Sequence, residues 1–548
     1  MNMKLFDMLI KESRIPYKGI FVAAAISGLA NSAILATVSL AAKTTNYEEI
    51  NLKYFFYFII SMGLYTYFLR YAFDQSTRLF ENAINNIRVR LTDKIRQSSL
   101  SAIEHIGKDK LHGRLTQELA SISRSESILV ASLQSAILVL FIAFYIAYLS
   151  APAFFLVVGI TSVGLIIYQR NGKLALHYIR RFTQREIDFF QKIVHLLDGF
   201  KEVKINRKRS DDLFEHLKDI SASVKSLKIR TDKIYHGNYL LSQYIFYIMI
   251  GGVVFILPRL IPSYSGTLTE ITMAILFIVG PLSSVVGAVP VLDKANVAVE
   301  NIYRMEGEMN SYKTNVDHFE DFPLYFKRDI KFLDVVFSYI DRESQRLFTV
   351  GPLDLTIQQG EILFVIGGNG SGKSTFFKIL TALYYPDSGY IQVDGVTLKK
   401  EAVQSYRELF SVIFSDFYLF DQLYGLSGID EGKVYELLRT MDLHSKTKFV
   451  DNLFTNLELS TGQRKRLALL IALLEDKPIY IFDEWAAEQD PEFRRYFYEE
   501  LLVKLKEQGK TIVAITHDDK YFHVADRVMK MEYGKIEYIV QADQYTSY

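Results

Sequence analysis

The chain has 548 residues, with 63 basic and 62 acidic side chains and a formal net charge of +1. This length is too great for one compact domain, and the balanced charge gives no support for a nucleic-acid partner. The absence of cysteine excludes disulfide scaffolds, thiolate metal sites and cysteine nucleophiles. Apolar residues are concentrated in the N-terminal half, so we expect two domains of different character.

The first 18 residues mix basic and apolar positions, which predicts an amphipathic helix lying on a membrane surface. The charge-free run that follows raises the alternative of a cleaved signal peptide. That run is longer than the apolar core of a signal peptide and further apolar runs follow it, so we favour a retained membrane span.

Six charge-poor stretches are candidates to cross a bilayer: 19–42, 54–73, 127–149, 152–169, 234–258 and 271–292. The uncharged run 127–169 is too long for one span, and Pro152 near its middle predicts two spans joined by a tight turn. Each stretch alone is also compatible with a buried core helix, but six in series are not. Basic residues favour the N-terminus and the long connections, which predicts cytoplasmic termini.

These features predict a domain division into a transmembrane domain over 1–308, a linker over 309–328 and a nucleotide-binding domain over 329–548. The last region alternates helical patterns with short apolar runs. We interpret four of those runs as buried parallel strands of an α/β domain, namely Ile362–Ile366, Ile391–Val393, Ile479–Phe482 and Ile512–Ile515.

A Walker A phosphate loop is predicted directly after the first of these strands. Its residues, with the apolar strand before and a helical pattern after, are Gly367, Asn369, Gly370, Ser371, Gly372, Lys373, Ser374 and Thr375. The backbone N–H groups would cradle phosphate oxygens, Lys373 would reach the β- and γ-phosphates of ATP, and Ser374 would contact Mg²⁺. An ordinary strand–turn–helix corner is the alternative.

A Walker B motif follows at the end of the strand that begins at Ile479. Asp483 would contribute an oxygen ligand to Mg²⁺, and Glu484 would act as general base towards the attacking water. Paired carboxylates after a strand are common by chance, but their position downstream of a Walker A loop favours this interpretation.

Ser460 is well placed as the N-cap of a long apolar helix, and with Thr461, Gly462 and Gln463 it would form an anion site. A capped helix without a ligand is the alternative. The run Leu459–Gln463 resembles the signature motif of ABC ATPases. By the same resemblance, three further residues match the adenine-stacking aromatic residue, the D-loop aspartate and the switch histidine: Tyr339, Asp490 and His517.

Six spans followed by one such ATPase domain resemble a half-transporter of the ABC exporter type. The resemblance implies a membrane α-helical domain followed by an α/β P-loop ATPase domain. It also implies a homodimer in which the Walker A loop of one subunit and the signature motif of the other enclose each ATP. The helical tips that dock on the ATPase domains are expected near Ile103–Lys110 and Gly199–Asn206.

Three positions depart from the usual ABC pattern. Ser415 stands where the Q-loop glutamine would join the Mg²⁺ shell, with Asp416 as the alternative substitute, and Thr461 and Trp485 replace small residues. Together with their flanking residues, these positions resemble the bacterial cyclic-peptide exporters, which include lasso-peptide microcin, syringomycin-type and pyoverdine-precursor exporters.

This subfamily resemblance implies ATP-driven export of a cyclic, lasso or siderophore-type peptide across the bacterial inner membrane. The expected partners are a second copy of the chain, membrane lipids, the peptide and export components of the periplasm or outer membrane. A lipid or glycolipid flippase of the same architecture is one alternative. The other is an ATP-gated regulator that carries no cargo.

Overall fold

The computed structural model describes residues 4–13, 17–44, 52–260, 268–311, 326–340, 346–426 and 428–544. The chain divides into two compact units. The first comprises Met1–Ser98 and Ala102–Tyr312 and is helical, and the second comprises Ser99–Ser101 and Lys313–Tyr548 and contains all the strands of the described residues.

The helices of the first unit are α1 (Lys4–Glu12), α2 (Tyr17–Thr44), α3 (Leu52–Gln97), α4 (Leu100–Ile106), α5 (Lys108–Gly113), α6 (Leu119–Ser123), α7 (Glu126–Leu149), α8 (Ala151–Asp198), α9 (Phe200–Ile205), α10 (Arg207–Gly251), α11 (Leu257–Leu260) and α12 (Leu268–Ser311). In the described part of the chain, six helical stretches are long and apolar enough to span a membrane, and they contain α2, α3, α7, α8, α10 and α12. This confirms the predicted class of membrane domain.

The turn between α7 and α8 shows how the sequence separates two spans. Ser150 adopts an extended conformation, and its hydroxyl accepts a 3.4 Å hydrogen bond from the backbone N–H of Ala153. Pro152 stands in the first turn of α8, where its missing N–H costs no helical hydrogen bond. The chain therefore ends one helix and begins the next within a single residue.

The N-terminal helix α1 packs its apolar face against other helices of the first unit. Its position on a membrane surface stays a prediction. Its apolar residues Leu5, Met8 and Leu9 are buried in a core shared with α3 and α12. Arg90 of α3 pairs with both Glu12 of α1 and Glu306 of α12, the latter at 2.7 Å. An amphipathic helix hides its apolar face from water equally well against lipid or against protein, so the periodicity could not distinguish the two.

The other expectations for this unit fall partly outside the described residues. Short helices α4 and α9 occupy the chain near the two predicted docking tips. The predicted linker over 309–328 lies mostly outside the described residues, as do the connections at 43–53 and 259–270.

The strands of the second unit are β1 (Asp329–Ile340), β2 (Arg346–Gln358), β3 (Ile362–Ile366), β4 (Ser388–Val393), β5 (Val396–Thr397), β6 (Phe410–Ile413), β7 (Phe449–Val450), β8 (Leu453–Phe454), β9 (Ile479–Asp483), β10 (Thr511–Ile515), β11 (Arg527–Glu532) and β12 (Lys535–Gln541). The helices are α13 (Lys373–Leu380), α14 (Val403–Arg407), α15 (Glu431–Thr440), α16 (Thr461–Glu475), α17 (Pro491–Arg495) and α18 (Leu502–Glu507).

The main sheet has the order β12-β11-β3-β10-β9-β6, with parallel pairing throughout except for β12. Side chains of β3 alternate between two cores, Leu363 and Val365 on one face and Ile362 and Phe364 on the other. An antiparallel sheet of order β2-β1-β4-β5 stands beside it. Residues Ile391–Val393 belong to that second sheet, so their prediction as a buried parallel strand is wrong. They alternate in burial, which a three-residue pattern was too short to reveal.

The topology of the main sheet determines where a ligand can bind. Strands β3, β6, β9 and β10 are mutually parallel, so their carboxyl ends lie at one edge of the sheet. Ligands of open parallel sheets bind outside that edge. The predicted phosphate loop, Ser415, the carboxylate pair and His517 follow these four strands in turn.

Candidate nucleotide site

The loop between β3 and α13 has the backbone of a phosphate cradle. Gly367 has φ +145°, and a Cβ atom there would lie 2.2 Å from the carbonyl oxygen of Met531, so a side chain at this position would be excluded. Helix α13 begins at Lys373, and its N-terminal N–H groups face the loop. The Lys373 ammonium donates hydrogen bonds to the carbonyls of Gly367 at 2.8 Å and Gly368 at 3.1 Å.

The cradle holds polar groups suited to an anion. The Ser371 hydroxyl is buried and has no hydrogen-bond partner among the described residues. Burial lowers the pKa of the Lys373 ammonium, and the Glu484 and Asp483 carboxylates oppose this effect. A phosphate group in this loop would supply the acceptor that Ser371 lacks and a counter-charge for Lys373. The residues present therefore fit a nucleotide phosphate.

The loop lines a cavity of about 420 Å³ together with two residues from outside it, Phe348 and Glu484. All of the predicted loop residues except Gly367 line this cavity: Asn369, Gly370, Ser371, Gly372, Lys373, Ser374 and Thr375. Gly367 instead provides the close backbone approach at the start of the loop.

The buried carboxylate of Asp483 collects the predicted metal-binding oxygens. Asp483 ends β9 and accepts a 3.4 Å hydrogen bond from the backbone N–H of Ser415, and the hydroxyls of Ser415 and Ser374 also bond to it. Burial raises the pKa of Asp483, and the hydrogen bonds from Ser415 and Ser374 oppose the rise. Carboxylate and hydroxyl oxygens are the ligand type that Mg²⁺ prefers, so these three residues fit that ion.

Glu484 stands directly after Asp483 in a left-handed backbone conformation, with φ +49°. Its carboxylate lies 3.4 Å from Nε2 of His517, which follows β10. The structure therefore brings together the two residues that were predicted as general base and switch histidine. Both side chains are partly exposed at the sheet edge, where a water molecule has access.

The predicted adenine-stacking residue, Tyr339, does not line the cavity, although it contacts Thr375, which does. Its hydroxyl lies 3.2 Å from that of Thr375, and its ring contacts Phe337 and Tyr384 edge-on. Phe348 pairs with Tyr339 across β1 and β2 and is the aromatic residue that lines the cavity. Phe348 is not among the residues predicted from the sequence. Phe348 could have been found only from the pairing of β1 with β2, because it lies opposite Tyr339 in that register. The sequence does not give the register.

We expect Phe348 to contribute an aromatic face to the nucleotide base. Replacing it with Ala should raise the dissociation constant for ATP about five- to 150-fold, because stacking of a base on an aromatic ring stabilises by roughly 1–3 kcal/mol. Fluorescent-nucleotide titration measures this, with the exposed Tyr390→Ala on the same sheet as a control. Unchanged affinity in Phe348→Ala, with a loss in Tyr339→Ala, would assign the base to Tyr339 alone.

The predicted signature residues form the capped N-terminus of α16. The Ser460 hydroxyl accepts from the N–H of Gln463, and the Gln463 side chain accepts from the N–H of Ser460 at 3.1 Å, which is a capping box. A Cβ on Gly462 would lie 2.9 Å from the carbonyl oxygen of Glu488. Within the described chain, Ser460, Thr461, Gly462 and Gln463 do not line the phosphate-loop cavity.

Asp490 is the N-cap of the short helix α17 and does not line the phosphate-loop cavity. Its carboxylate accepts a 2.9 Å hydrogen bond from the backbone N–H of Phe493 and pairs with Arg466 of α16. The bond from Phe493 lowers the pKa of Asp490, and Arg466 adds to this effect. The guanidinium of Arg466 also lies 4.0 Å from the ring centre of Phe493. Sequence reasoning did not identify Arg466, because its partners are distant along the chain.

Comparisons with known proteins agree with this architecture. A family model described as ABC transporter matches residues 350–487. The chain is 32% identical over 545 residues to ATP-binding protein SyrD of Pseudomonas syringae pv. syringae, covering 93% of this chain and 92% of that protein. It is also 25% identical to the ATP-dependent lipid A-core flippase of Paraburkholderia xenovorans (strain LB400), over 75% of this chain and 70% of the relative.

A solved structure shows the same fold over nearly the whole chain. The structure of a bacterial Atm1-family ABC exporter with ATP bound superposes with a TM-score of 0.78 at 15% sequence identity, covering 96% of each chain. The fold and the site thus define a multi-pass membrane protein with an attached P-loop ATPase unit. The chain belongs to the ABC transporter family. It is an ATP hydrolase whose reaction is coupled to transport across a membrane.

Proposed function

We propose that this ABC exporter uses ATP to move a cyclic, lasso or siderophore-type peptide out across the bacterial inner membrane. The observation that carries the proposal is the 32% identity with SyrD, which extends over 93% of the chain and thus through both units. The unusual residues Ser415, Thr461 and Trp485, which resemble those of cyclic-peptide exporters, also support it. In this proposal both termini are cytoplasmic.

The active form in this proposal is a homodimer with two equivalent ATP sites. One chain supplies a phosphate-loop cavity that its own signature turn does not line, and that turn is a capped helix end able to bind an anion. A second copy in antiparallel arrangement would place its Ser460–Gln463 turn over the open side of the cavity. Asp490 would lie beside that junction.

The proposed roles follow the geometry of the sheet edge. Lys373 and the loop N–H groups bind the phosphates, and Ser374, Asp483 and Ser415 provide the oxygens that would hold Mg²⁺. The ion, when bound, would neutralise charge on the transferred phosphoryl group. Glu484 accepts the proton of the attacking water, and His517 contacts the γ-phosphate.

Ser415 should link the ATP site to transport, because it occupies the Q-loop position and bonds to the buried Asp483. Ser415→Ala keeps the backbone bond and removes only the hydroxyl. We expect the number of peptides transported per ATP to fall about two- to fivefold, in line with loss of roughly one hydrogen bond. Parallel transport and hydrolysis assays in proteoliposomes measure the ratio. Asp416→Asn tests the alternative substitute in the same assays, and an unchanged ratio in Ser415→Ala would show that the loop needs no hydroxyl.

The cargo proposal is tested by ATP hydrolysis in lipid vesicles with candidate ligands. A cyclic or lasso peptide should stimulate hydrolysis in a saturable manner and accumulate inside inside-out vesicles. The variant Glu484→Gln should abolish accumulation without abolishing nucleotide binding. Stimulation by none of a panel of cyclic, lasso and linear siderophore peptides would contradict the proposal.

A lipid or glycolipid flippase is the second candidate, favoured by the identity with lipid A-core flippases. The two candidates differ in their response, because a flippase would be stimulated by lipid A or a related glycolipid and not by peptide. Hydrolysis that responds to neither ligand would instead favour an ATP-gated regulator.

A further inference from the structure

The first turns of α16 are fastened to the segment that carries Glu484. Lys465 is 4% exposed, and a buried ammonium requires acceptors. Its Nζ atom donates a 2.9 Å hydrogen bond to the main-chain carbonyl of Glu484 and lies 3.7 Å from the carboxylate of Glu488. The lysine therefore satisfies its charge on the turn after β9, and no predicted role in ATP binding accounts for it.

Trp485 completes a reciprocal connection. Its indole N–H donates a 2.8 Å hydrogen bond to the main-chain carbonyl of Lys465. The ring is 1% exposed and packs against Phe497, with ring centres 4.4 Å apart. The side chain of Lys465 thus binds the backbone at Glu484, and the side chain of Trp485 binds the backbone at Lys465. We call this pair of bonds, Lys465 to Glu484 and Trp485 to Lys465, the lysine–tryptophan clip.

The clip holds a backbone that is strained on its own. Glu484 has φ +49°, a conformation that a residue with a Cβ adopts only when its surroundings impose it. Its N–H donates to the carbonyl of Ile515 at 3.2 Å, and its carbonyl accepts from Lys465. Fixing both peptide groups fixes the direction of the Cα–Cβ bond, and hence where the carboxylate beside His517 can point.

The clip lies next to the signature turn, because Lys465 stands two residues after Gln463 in α16. Gly462 has space for no side chain against Glu488, and its carbonyl accepts a 3.1 Å bond from the Gln489 amide. Arg466 in turn donates a 2.9 Å bond to Gln489. The first turns of α16 therefore cannot shift relative to residues 484–490 without breaking several buried contacts.

We propose that Lys465 and Trp485 are positioning residues that hold the Glu484 carboxylate and couple it to the signature turn of the same chain. The proposal rests on the role of Glu484 as base and on the composite sites proposed above. In such a dimer, a nucleotide held against one chain's signature turn would set the orientation of that chain's Glu484, which serves the other site. The clip would thus make the two sites cooperative.

The chain contains a matched control for this chemistry. At the opposite end of α16, Lys510 donates to the main-chain carbonyl of Asp476 at 3.3 Å, and Asp476 also has a left-handed backbone, with φ +48°. Lys510 stands outside the nucleotide cavity and the signature turn. Lys510→Met therefore removes a lysine-to-carbonyl bond, together with a 2.7 Å ion pair to the Asp476 carboxylate, without touching the clip.

The experiment compares Lys465→Met, Trp485→Phe, their double variant and Lys510→Met in the full-length protein in lipid nanodiscs. Trp485→Phe keeps an aromatic ring at this buried position and deletes the donor, at the cost of some ring volume, and the unfolding measurement below accounts for that loss. We expect kcat for ATP to fall about tenfold in each clip variant with ATP affinity within about twofold, since positioning acts on the transition state. The double variant should be no slower than the slower single variant, because both bonds serve one geometry. The wild type should show positive cooperativity towards ATP, and the clip variants should lose it.

Several results would overturn the proposal: a kcat effect no larger than that of Lys510→Met, additive effects in the double variant, or a wild type without cooperativity. Thermal unfolding of each variant shows whether a fall in kcat is caused by lower stability of the protein or by displacement of the Glu484 carboxylate. Glu484→Gln is assayed alongside, and sustained hydrolysis by that variant would refute the base role itself, whatever the clip variants show. None of these assays requires a cargo, so they are independent of the peptide proposal.

Discussion

ATP turnover should fall about 10²- to 10⁴-fold when Glu484 is replaced with Gln, while nucleotide affinity stays within about twofold. The side chain keeps its size and its place beside His517, but an amide cannot accept the proton of the attacking water. The phosphate-binding groups of the loop are untouched. The variant should therefore bind ATP, fail to hydrolyse it and remain in the ATP-bound state.

The measurement is steady-state phosphate release together with equilibrium binding of labelled ATP in the purified protein. Glu499→Gln is the control, since Glu499 is an exposed acid of the same unit outside the cavity. Hydrolysis at wild-type rates by Glu484→Gln would remove Glu484 from the base role and would leave His517 as the next group to test.

Replacing Lys373 with Met should weaken ATP binding by about 100-fold, equivalent to roughly 2.7 kcal/mol. Lys373 is 6% exposed, and its ammonium is held at the loop by the carbonyls of Gly367 and Gly368, so it is already positioned for phosphate oxygens. Methionine preserves the volume and deletes the charge. The charge-assisted bonds to phosphate are the strongest polar contacts that the site can offer.

Lys378 provides the comparison for Lys373 on the same helix. Its ammonium interacts with Tyr384, at 3.3 Å from the hydroxyl, and it does not line the cavity. Lys378→Met should therefore leave ATP affinity within about twofold. Equal losses in both variants, in nucleotide titrations at matched ionic strength, would mean that the helix and not the Lys373 charge determines binding.

Much of the site could be predicted because its elements are contiguous in sequence. The phosphate loop, the carboxylate pair and the capped turn at Ser460 are each short patterns whose local geometry follows from their residues. The sequence also indicated parallel strands at β3, β9 and β10, and the structure supplies their order and brings their carboxyl ends to one sheet edge. Ser415 and Asp483 were each predicted to contribute to the Mg²⁺ shell, and the structure supplies the hydrogen bond that joins them.

The missed features all depend on contacts between distant residues. In the sequence, Lys465 is one of three consecutive basic residues near the start of α16. Nothing in its local sequence shows that it is buried against Glu484. Phe348 enters the cavity only through the register of β1 and β2. The docking of α1 depends on which surface competes for its apolar face, and here α3 and α12 provide that surface.

The chain contains a single tryptophan, and it is Trp485 of the clip. Its indole is buried, hydrogen-bonded and packed against the tilted ring of Phe497. Intrinsic fluorescence excited at the indole absorption edge therefore comes from one place in each chain, between the hydrolytic turn and the signature helix. A spectral change on adding nucleotide would report directly on that junction, without any label and without competing signals from the membrane helices.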